Sequence, residues 1–310
     1  MEFHPVTSPI PTPERYEPHL PPVPQPRPQR TTSTWSWGSA VVHLERVGDP
    51  QAAVRMLLVH GAGGNAAAMW PYAAHLAGLG AHVTVADLPG YGATTVAEPG
   101  TVRYEHWRAL LIDLVEAEHD ERPLILVGAS MGGMLAYDVA AATGKAAGLV
   151  VTCLLDVRDS AVRARLSWHP VLGRVAGPDL RLLAGPAADL RVPIRWIADM
   201  RHIANTPALV SAVLTDRTGG GGRVPLGWMR SYLDSAPVTE PEDFTGTPVL
   251  MVHPGNDRWT PLKISRAFFD RIAAPKRLVV LHGCGHFPAE QPGFAQMLTA
   301  VTGMVAELTA

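Results

Sequence analysis

Cysteine is scarce: Cys153 and Cys284 are the only two in 310 residues. They are too few and too far apart for a disulfide scaffold or a zinc cluster, although one incidental bridge is left open. A surplus of one charge is also lacking. The 26 Lys+Arg against 28 Asp+Glu give a formal net charge of −2, so no long-range field points to nucleic acid. No uncharged apolar run reaches the roughly 18 residues that a membrane span needs. The stretch from Pro123 to Tyr137 comes nearest, and glycines interrupt it. The opening Met1-Glu2-Phe3-His4-Pro5 has neither the basic region nor the apolar region of a secretory signal, so a soluble cytoplasmic protein is expected. What the chain does have is an apolar fraction of 47%, ample for a sizeable core. Its length fits one large α/β domain or two small ones.

Proline is concentrated at one end. Ten of the 29 prolines fall in the first 28 positions, as in Pro21-Pro22-Val23-Pro24-Gln25-Pro26-Arg27-Pro28. That density removes amide donors and fixes φ, so residues 1–34 should form an extended arm, free or laid along the surface. A polyproline ligand for a proline-binding module is the alternative.

From Trp35 onward short apolar runs alternate with helical periodicity. Trp35–Leu44, Val54–Val59, His82–Ala86, Leu124–Val127, Gly148–Val151, Val249–Val252 and Leu278–Leu281 read as strands. Trp107, Leu110, Leu111, Leu114 and Val115 fall on one face of a helix. Strands alternating with helices imply an α/β protein: a mostly parallel central sheet with helices on both faces. Residues 35–155 and 245–310 would form this core. Between them, 156–244 carries several helical patterns, among them Arg195–Arg201 and Pro207–Asp216, without strand signals, and reads as an inserted helical cap. The cap is basic: residues 157–235 hold eleven Arg, no Lys, six Asp and no Glu.

Gly128-Ala129-Ser130-Met131-Gly132-Gly133 follows an apolar strand and opens a helix. In that context Gly-x-Ser-x-Gly has a mechanical meaning: a sharp turn lifts the serine Oγ above the sheet, and the glycines allow strand and helix to approach. Serine needs a base and an orienting acid to act as a nucleophile. His286, in a turn of small residues after the last strand, is the candidate base, with His282 as a competitor more apt to pack at the strand end. Asp257, on the turn after Val249–Val252, is the candidate acid. Asp156, beyond Gly148–Val151, is held in reserve, and an Asx-turn or a pair with Arg258 would be the structural reading of Asp257. A tetrahedral oxyanion needs two amide donors; Met131 at the helix start and Ala62 in the His60-Gly61-Ala62-Gly63 turn are the choices. His60 is expected to shape that turn.

Taken together, His60-Gly61-Ala62-Gly63, Asp87-Leu88-Pro89-Gly90-Tyr91-Gly92, the Ser130 motif, Gly255-Asn256-Asp257 and Gly285-His286 resemble the α/β-hydrolase superfamily from about residue 35 to the end. Within it the chain is most similar to the monoacylglycerol lipase and lysophospholipase group. The resemblance implies Ser130 as nucleophile, Asp257 as acid, His286 as base, the Ala62 and Met131 amides as oxyanion hole, and no cofactor or metal. Ala129 departs from that group, which commonly has His before the serine. Serine at 130 argues against epoxide hydrolases and haloalkane dehalogenases, whose nucleophile is a carboxylate.

Specificity in such an architecture should come from the cap. Trp168, Trp196, Met200, Trp228 and Met229 are the candidates to line an acyl pocket, and the arginines could meet an anionic lipid surface or a substrate anion. The expected reaction is hydrolysis of carboxylic esters of lipid-like or small acyl substrates through an acyl-enzyme. Amide, thioester or C–C cleavage, acyl transfer or perhydrolysis by the same triad is the alternative. A non-catalytic ligand-binding member is the third reading.

Overall fold

In the computed structural model, residues 3–5, 13–167, 185–196 and 198–310 are described. The strands are β1 (Phe3–Pro5), β2 (Arg30–Trp37), β3 (Ala40–Val47), β4 (Val54–Val59), β5 (Ala81–Ala86), β6 (Thr95–Val96), β7 (Leu124–Gly128), β8 (Ala146–Val151), β9 (Arg191–Pro193), β10 (Arg223–Pro225), β11 (Val249–Pro254) and β12 (Lys276–Leu281). All but β9 and β10 belong to one sheet, ordered β1-β2-β3-β5-β4-β7-β8-β11-β12 with β6 beside β3. Pairing is parallel from β5 through β12 and antiparallel from β1 to β5.

Eight α-helices accompany it: α1 (Ala66–Gly78), α2 (Tyr104–Ala117), α3 (Met131–Thr143), α4 (Ser160–Leu166), α5 (Pro207–Thr215), α6 (Leu226–Leu233), α7 (Leu262–Phe269) and α8 (Gly293–Thr309), counted among the described residues. Alternate residues of a strand face opposite sides. Val151 turns toward α3, whereas the face carrying Gly148 and Val150 is covered by α8 and α1. The central strands β4 and β11 are buried at every position, which is why they read as unbroken apolar runs rather than alternating ones.

Two readings need correction. The single strand expected over Trp35–Leu44 is a hairpin: β2 begins at Arg30, and Gly38 with φ of 53° turns the chain into β3. The turn is Gly38-Ser39, a two-residue hairpin signal inside the stretch read as one strand. The inserted segment is also not purely helical. Arg191–Pro193 and Arg223–Pro225 form a two-stranded ribbon, too short to give a periodic signal. Of the helix read over Arg195–Arg201, the described residues form two 3-10 turns, Ile194–Trp196 and Met200–His202. Both cysteines are buried free thiols. Among the described residues no helix is long and apolar enough to cross a membrane.

The proline-rich arm lies along the molecule. Its Tyr16 is buried and donates a hydrogen bond to Asp216 Oδ2 at 2.7 Å, while Glu17 accepts one from Trp70 of α1 at 2.6 Å. Asp216 also accepts from Asn65 Nδ2 (2.8 Å) and from the Thr218 amide and hydroxyl (2.9 and 2.8 Å). Asn65 in turn caps α1 through the Ala68 amide. Burial alone would raise the Asp216 carboxyl; the hydrogen bonds from Tyr16, Thr218 and Asn65 outweigh it and hold it below its ordinary range. One carboxylate therefore ties arm, cap and core helix together. Tyr16→Phe removes a bond to this buried charge and is expected to lower stability by about 1.5–3 kcal/mol in urea denaturation. A loss within experimental error would mean that the Tyr16 hydroxyl adds nothing to the fold.

Candidate active site

The turn between β7 and α3 is held by backbone contact. A Cβ on Gly128 would lie 2.6 Å from Gly133 Cα, and one on Gly132 would collide with the Val59 carbonyl and come within 2.9 Å of the His60 carbonyl oxygen. Only glycine fits where strand and helix meet this closely. Ser130 between them has φ of 55° and ψ of −127°, the one positive φ outside glycine among the described residues. Such a conformation persists only where the surroundings enforce it. Here the Ala129 amide is anchored on the Val59 carbonyl, the Ser130 amide donates to Thr152 Oγ1 at 2.9 Å, and the Gly132 amide donates to the Ala129 carbonyl.

Ser130 Oγ lies 2.7 Å from His286 Nε2, and His286 Nδ1 lies 2.8 Å from Asp257 Oδ2. Asp257 and His286 are buried, and Ser130 is half-buried at the rim of a cavity. The carboxylate accepts four hydrogen bonds: from the Trp259 and Thr260 amides on Oδ1, and from Thr260 Oγ1 and His286 on Oδ2, all at 2.8 Å. The Asx-turn and the contact with histidine are thus one arrangement, the turn aiming Oδ2 at the ring. Burial pushes the Asp257 carboxyl up, but the charge of His286 and the hydrogen bonds from His286 and Thr260 prevail and keep it below its ordinary value. A carboxylate on Nδ1 makes that nitrogen the donor and leaves Nε2 to accept from the serine.

The competitors lie elsewhere. Asp156 pairs with Arg158 at 2.8 Å. His282, expected to pack at the strand end, is instead exposed and bonded to Gln296, because β12 is an edge strand. Three neighbours carried no motif that could flag them. Thr260 bridges acid and base, with Oγ1 also 3.1 Å from His286 Nδ1; Thr152 holds the Ser130 amide; Trp259 packs on the His286 ring at 4.9 Å.

His60 is fully buried. Its Nε2 accepts from the Leu88 amide at 3.1 Å, so Nδ1 carries the proton and donates to the Gly61 carbonyl at 2.8 Å. Burial lowers its pKa to about 4. A Cβ on Gly61 would stand 3.2 Å from the Met131 nitrogen, so the Gly61-Ala62 turn runs directly beside the start of α3. Among the described residues neither the Ala62 nor the Met131 amide donates to a main-chain carbonyl.

The cavity at Ser130 is narrow, about 70 Å³ of space open to the centre of a water molecule. Its walls are Gly61–Gly64, Met69, Tyr72 and Leu76 on one side, Met297 and Val301 of α8 on the other, and Leu58, Val127, Val150 and Val252 of the sheet below. Of the described cap residues, Ile203 and Val213 reach it. The described aromatic candidates, Trp196 and Trp228, are not among its lining residues. Trp196 is 66% exposed, and Trp228 packs on Trp107 of α2 at 4.7 Å and on Tyr232 at 5.8 Å. Met229 is partly buried against the core, and Met200 is buried where a Cβ on Gly63 would meet its methyl at 2.5 Å. Trp168 lies outside the described residues. Arginines of the cap are largely engaged: Arg158 with Asp156 and Glu240, Arg201 with Asp199, Arg230 with Asp234. Among the described residues no His, Cys, Asp and Glu gather into a metal-binding group.

The family model described as "Alpha/beta hydrolase family" matches residues 56–295. The chain belongs to the alpha/beta hydrolase family. This family member is 26% identical over 198 residues to a monoacylglycerol lipase of Mycolicibacterium smegmatis, a match covering 63% of this chain and 66% of that one. It is 28% identical over 230 residues to the AMB antimetabolite synthetase AmbE of Pseudomonas aeruginosa, covering 68% of this chain and 10% of the synthetase. A soluble variant of the monoglyceride lipase of Saccharomyces cerevisiae, solved with a substrate analogue, superposes with a TM-score of 0.72 at 18% identity, covering 91% and 96% of the two chains. This last likeness establishes the shared fold.

Two outcomes follow from the geometry. Gly132→Ala forces a methyl into the Val59 and His60 carbonyls and should destabilise by about 3 kcal/mol or more, read as a fall in Tm. Because burial lowers His60 to about 4 from 6.5, its ring stays neutral and Nδ1-protonated as pH falls from 7 to 5. Imidazole ¹⁵N shifts check this; titration with a midpoint near 6.5 would contradict the buried tautomer.

Proposed function

We propose that this hydrolase-family protein cleaves carboxylic esters of lipid-like or small acyl substrates through an acyl-enzyme on Ser130. The observation that carries this reading is the unbroken relay from Ser130 Oγ through His286 to Asp257, at 2.7 and 2.8 Å, with the serine on a strained turn. Ser130 Oγ adds to the ester carbonyl carbon while its proton passes to His286 Nε2. The carbonyl π electrons move onto oxygen, held by the amides of Ala62 and Met131; the positive end of α3 adds to that field. Collapse expels the alcohol, protonated by His286. Water, deprotonated by the same nitrogen, then attacks the acyl-enzyme, and the acid leaves with Ser130 restored.

Asp257 holds the Nδ1–H tautomer and stabilises the imidazolium that forms in each half-reaction. Thr260 fixes the carboxylate. His60, neutral and bonded at both nitrogens, supports the Gly61-Ala62 turn and takes no proton from substrate. The monoacylglycerol lipase similarity favours an ester with a fatty acyl group, and the almost wholly apolar cavity agrees with it.

The test is a p-nitrophenyl ester series from acetate to palmitate with Ser130 labelled by a fluorophosphonate. Ser130→Ala should lose labelling and turnover while keeping its Tm; substantial residual turnover would sink the nucleophile assignment. Asp257→Asn should lower kcat on the order of 10⁴-fold, since the amide favours the wrong tautomer.

A further inference from the structure

Apart from Ile203 and Val213 of the cap, the described lining of the cavity belongs to the core. The cavity descends from Ser130 into the core, between the sheet and the helices α1 and α8. Leu58, Val127 and Val150 are in register on neighbouring strands and form one row of its floor. Ala68 to Leu76 line it along about 12 Å of α1, at 1.5 Å per residue. Its deep wall, Leu76 and Val301, is buried. The next row of the same sheet face holds Ile125 and Gly148 in register. Gly148 leaves a gap there that Met304 fills: a Cβ on Gly148 would meet its sulfur at 2.8 Å.

Resting on the ester-hydrolase reading, we infer that this slot takes the acyl chain of the substrate as a single unbranched alkyl group, and that Val301 and Met304 set its length. The slot is thin and apolar, so a branched or polar acyl group is excluded by shape and by desolvation. Its buried deep end decides between acid and alcohol. The alcohol must leave before water attacks, and a blind passage gives it no exit. The acyl chain stays through both half-reactions and can occupy one. A depth of about 12 Å matches a chain in the octanoyl-to-decanoyl range. Met304 is unbranched and flexible, the side chain most easily replaced at a plug. Removing it should deepen the slot by one row, two strand residues or about 6.6 Å.

The experiment compares kcat/KM across the same ester series for the full chain, Val301→Phe and Met304→Ala, with Tm and fluorophosphonate labelling to show that each variant is folded. The parent should peak at octanoate or decanoate. Val301→Phe should lower the octanoate-to-butyrate ratio at least tenfold. Met304→Ala should move the optimum the opposite way, toward laurate or myristate, and carries the test alone if the phenylalanine variant does not fold. Ester turnover with a length profile the folded variants leave unchanged would overturn the slot and leave the hydrolase standing. Absence of Ser130-dependent turnover for every ester, acetate included, would overturn the hydrolase reading and this inference with it.

Discussion

At the end of β7 four stretches of backbone meet with no room for a side chain, and the site is built on that contact. Gly128 lies against Gly132 and Gly133, Gly132 against the Val59 carbonyl, and Gly133 against the Cys153 carbonyl. The contact forces Ser130 to φ 55°. The cost of that conformation, of order 1–3 kcal/mol, is met by amides bonded on either side of it. In return the serine stands clear of the sheet, the amide after it opens a helix, and the Gly61-Ala62 turn on the neighbouring strand is brought beside that amide. In the proposed mechanism nucleophile and oxyanion donors are consequences of one packing arrangement, so a side chain added at any of these glycines disturbs both.

Asp257 and His286, the proposed acid and base, are positioned by a different kind of interaction. Asp257 is buried, and an isolated carboxylate there would be expensive. Four hydrogen bonds stabilise it, three from its own loop, so its orientation is set whether or not substrate is present. His286 sits in the turn after β12, where Cys284 and the small neighbours Gly283 and Gly285 let the ring reach across to Ser130. The two loops are joined directly, since the Asn256 amide donates to the Cys284 carbonyl at 2.8 Å. Each side chain of the relay therefore comes from a separate strand end, and the parallel sheet supplies their spacing.

Much of this was legible in the sequence because it depends on local rules. Apolar runs marked the buried strands, the Gly-x-Ser-x-Gly spacing marked the strained turn, and the order Ser130, Asp257, His286 followed from where loops leave a parallel sheet. What escaped notice depends on contacts distant in sequence. Thr260 and Thr152 are ordinary residues until the fold sets them against Asp257 and Ser130. Asp216 carried no signal, yet it joins Tyr16 and Asn65, respectively 200 and 151 residues away. The cavity was misplaced for a related reason. Tryptophans in an inserted segment suggest a pocket, but whether an aromatic ring faces a ligand or a neighbouring helix is settled by tertiary packing alone.

That packing changes the part assigned to the cap. Trp228 and Tyr232 of α6 bury against Tyr104 and Trp107 of α2, so these two rings attach the cap to the core. Asp216 fixes the cap a second time, next to the N-terminus of α1, and Met200 rests on the Gly63 turn. A segment held at both places lies against Gly63 through Met200 and Gly220, and in the proposed mechanism it would keep water from the amides that meet the oxyanion. The arm, through Tyr16, completes that attachment. In the proposed slot, discrimination among substrates falls to the sheet face beneath α1 and α8, whose side chains are in register and whose gap at Gly148 is filled by methionine. Core residues of this kind serve stability and selectivity at once, and a change at Val301 alters both.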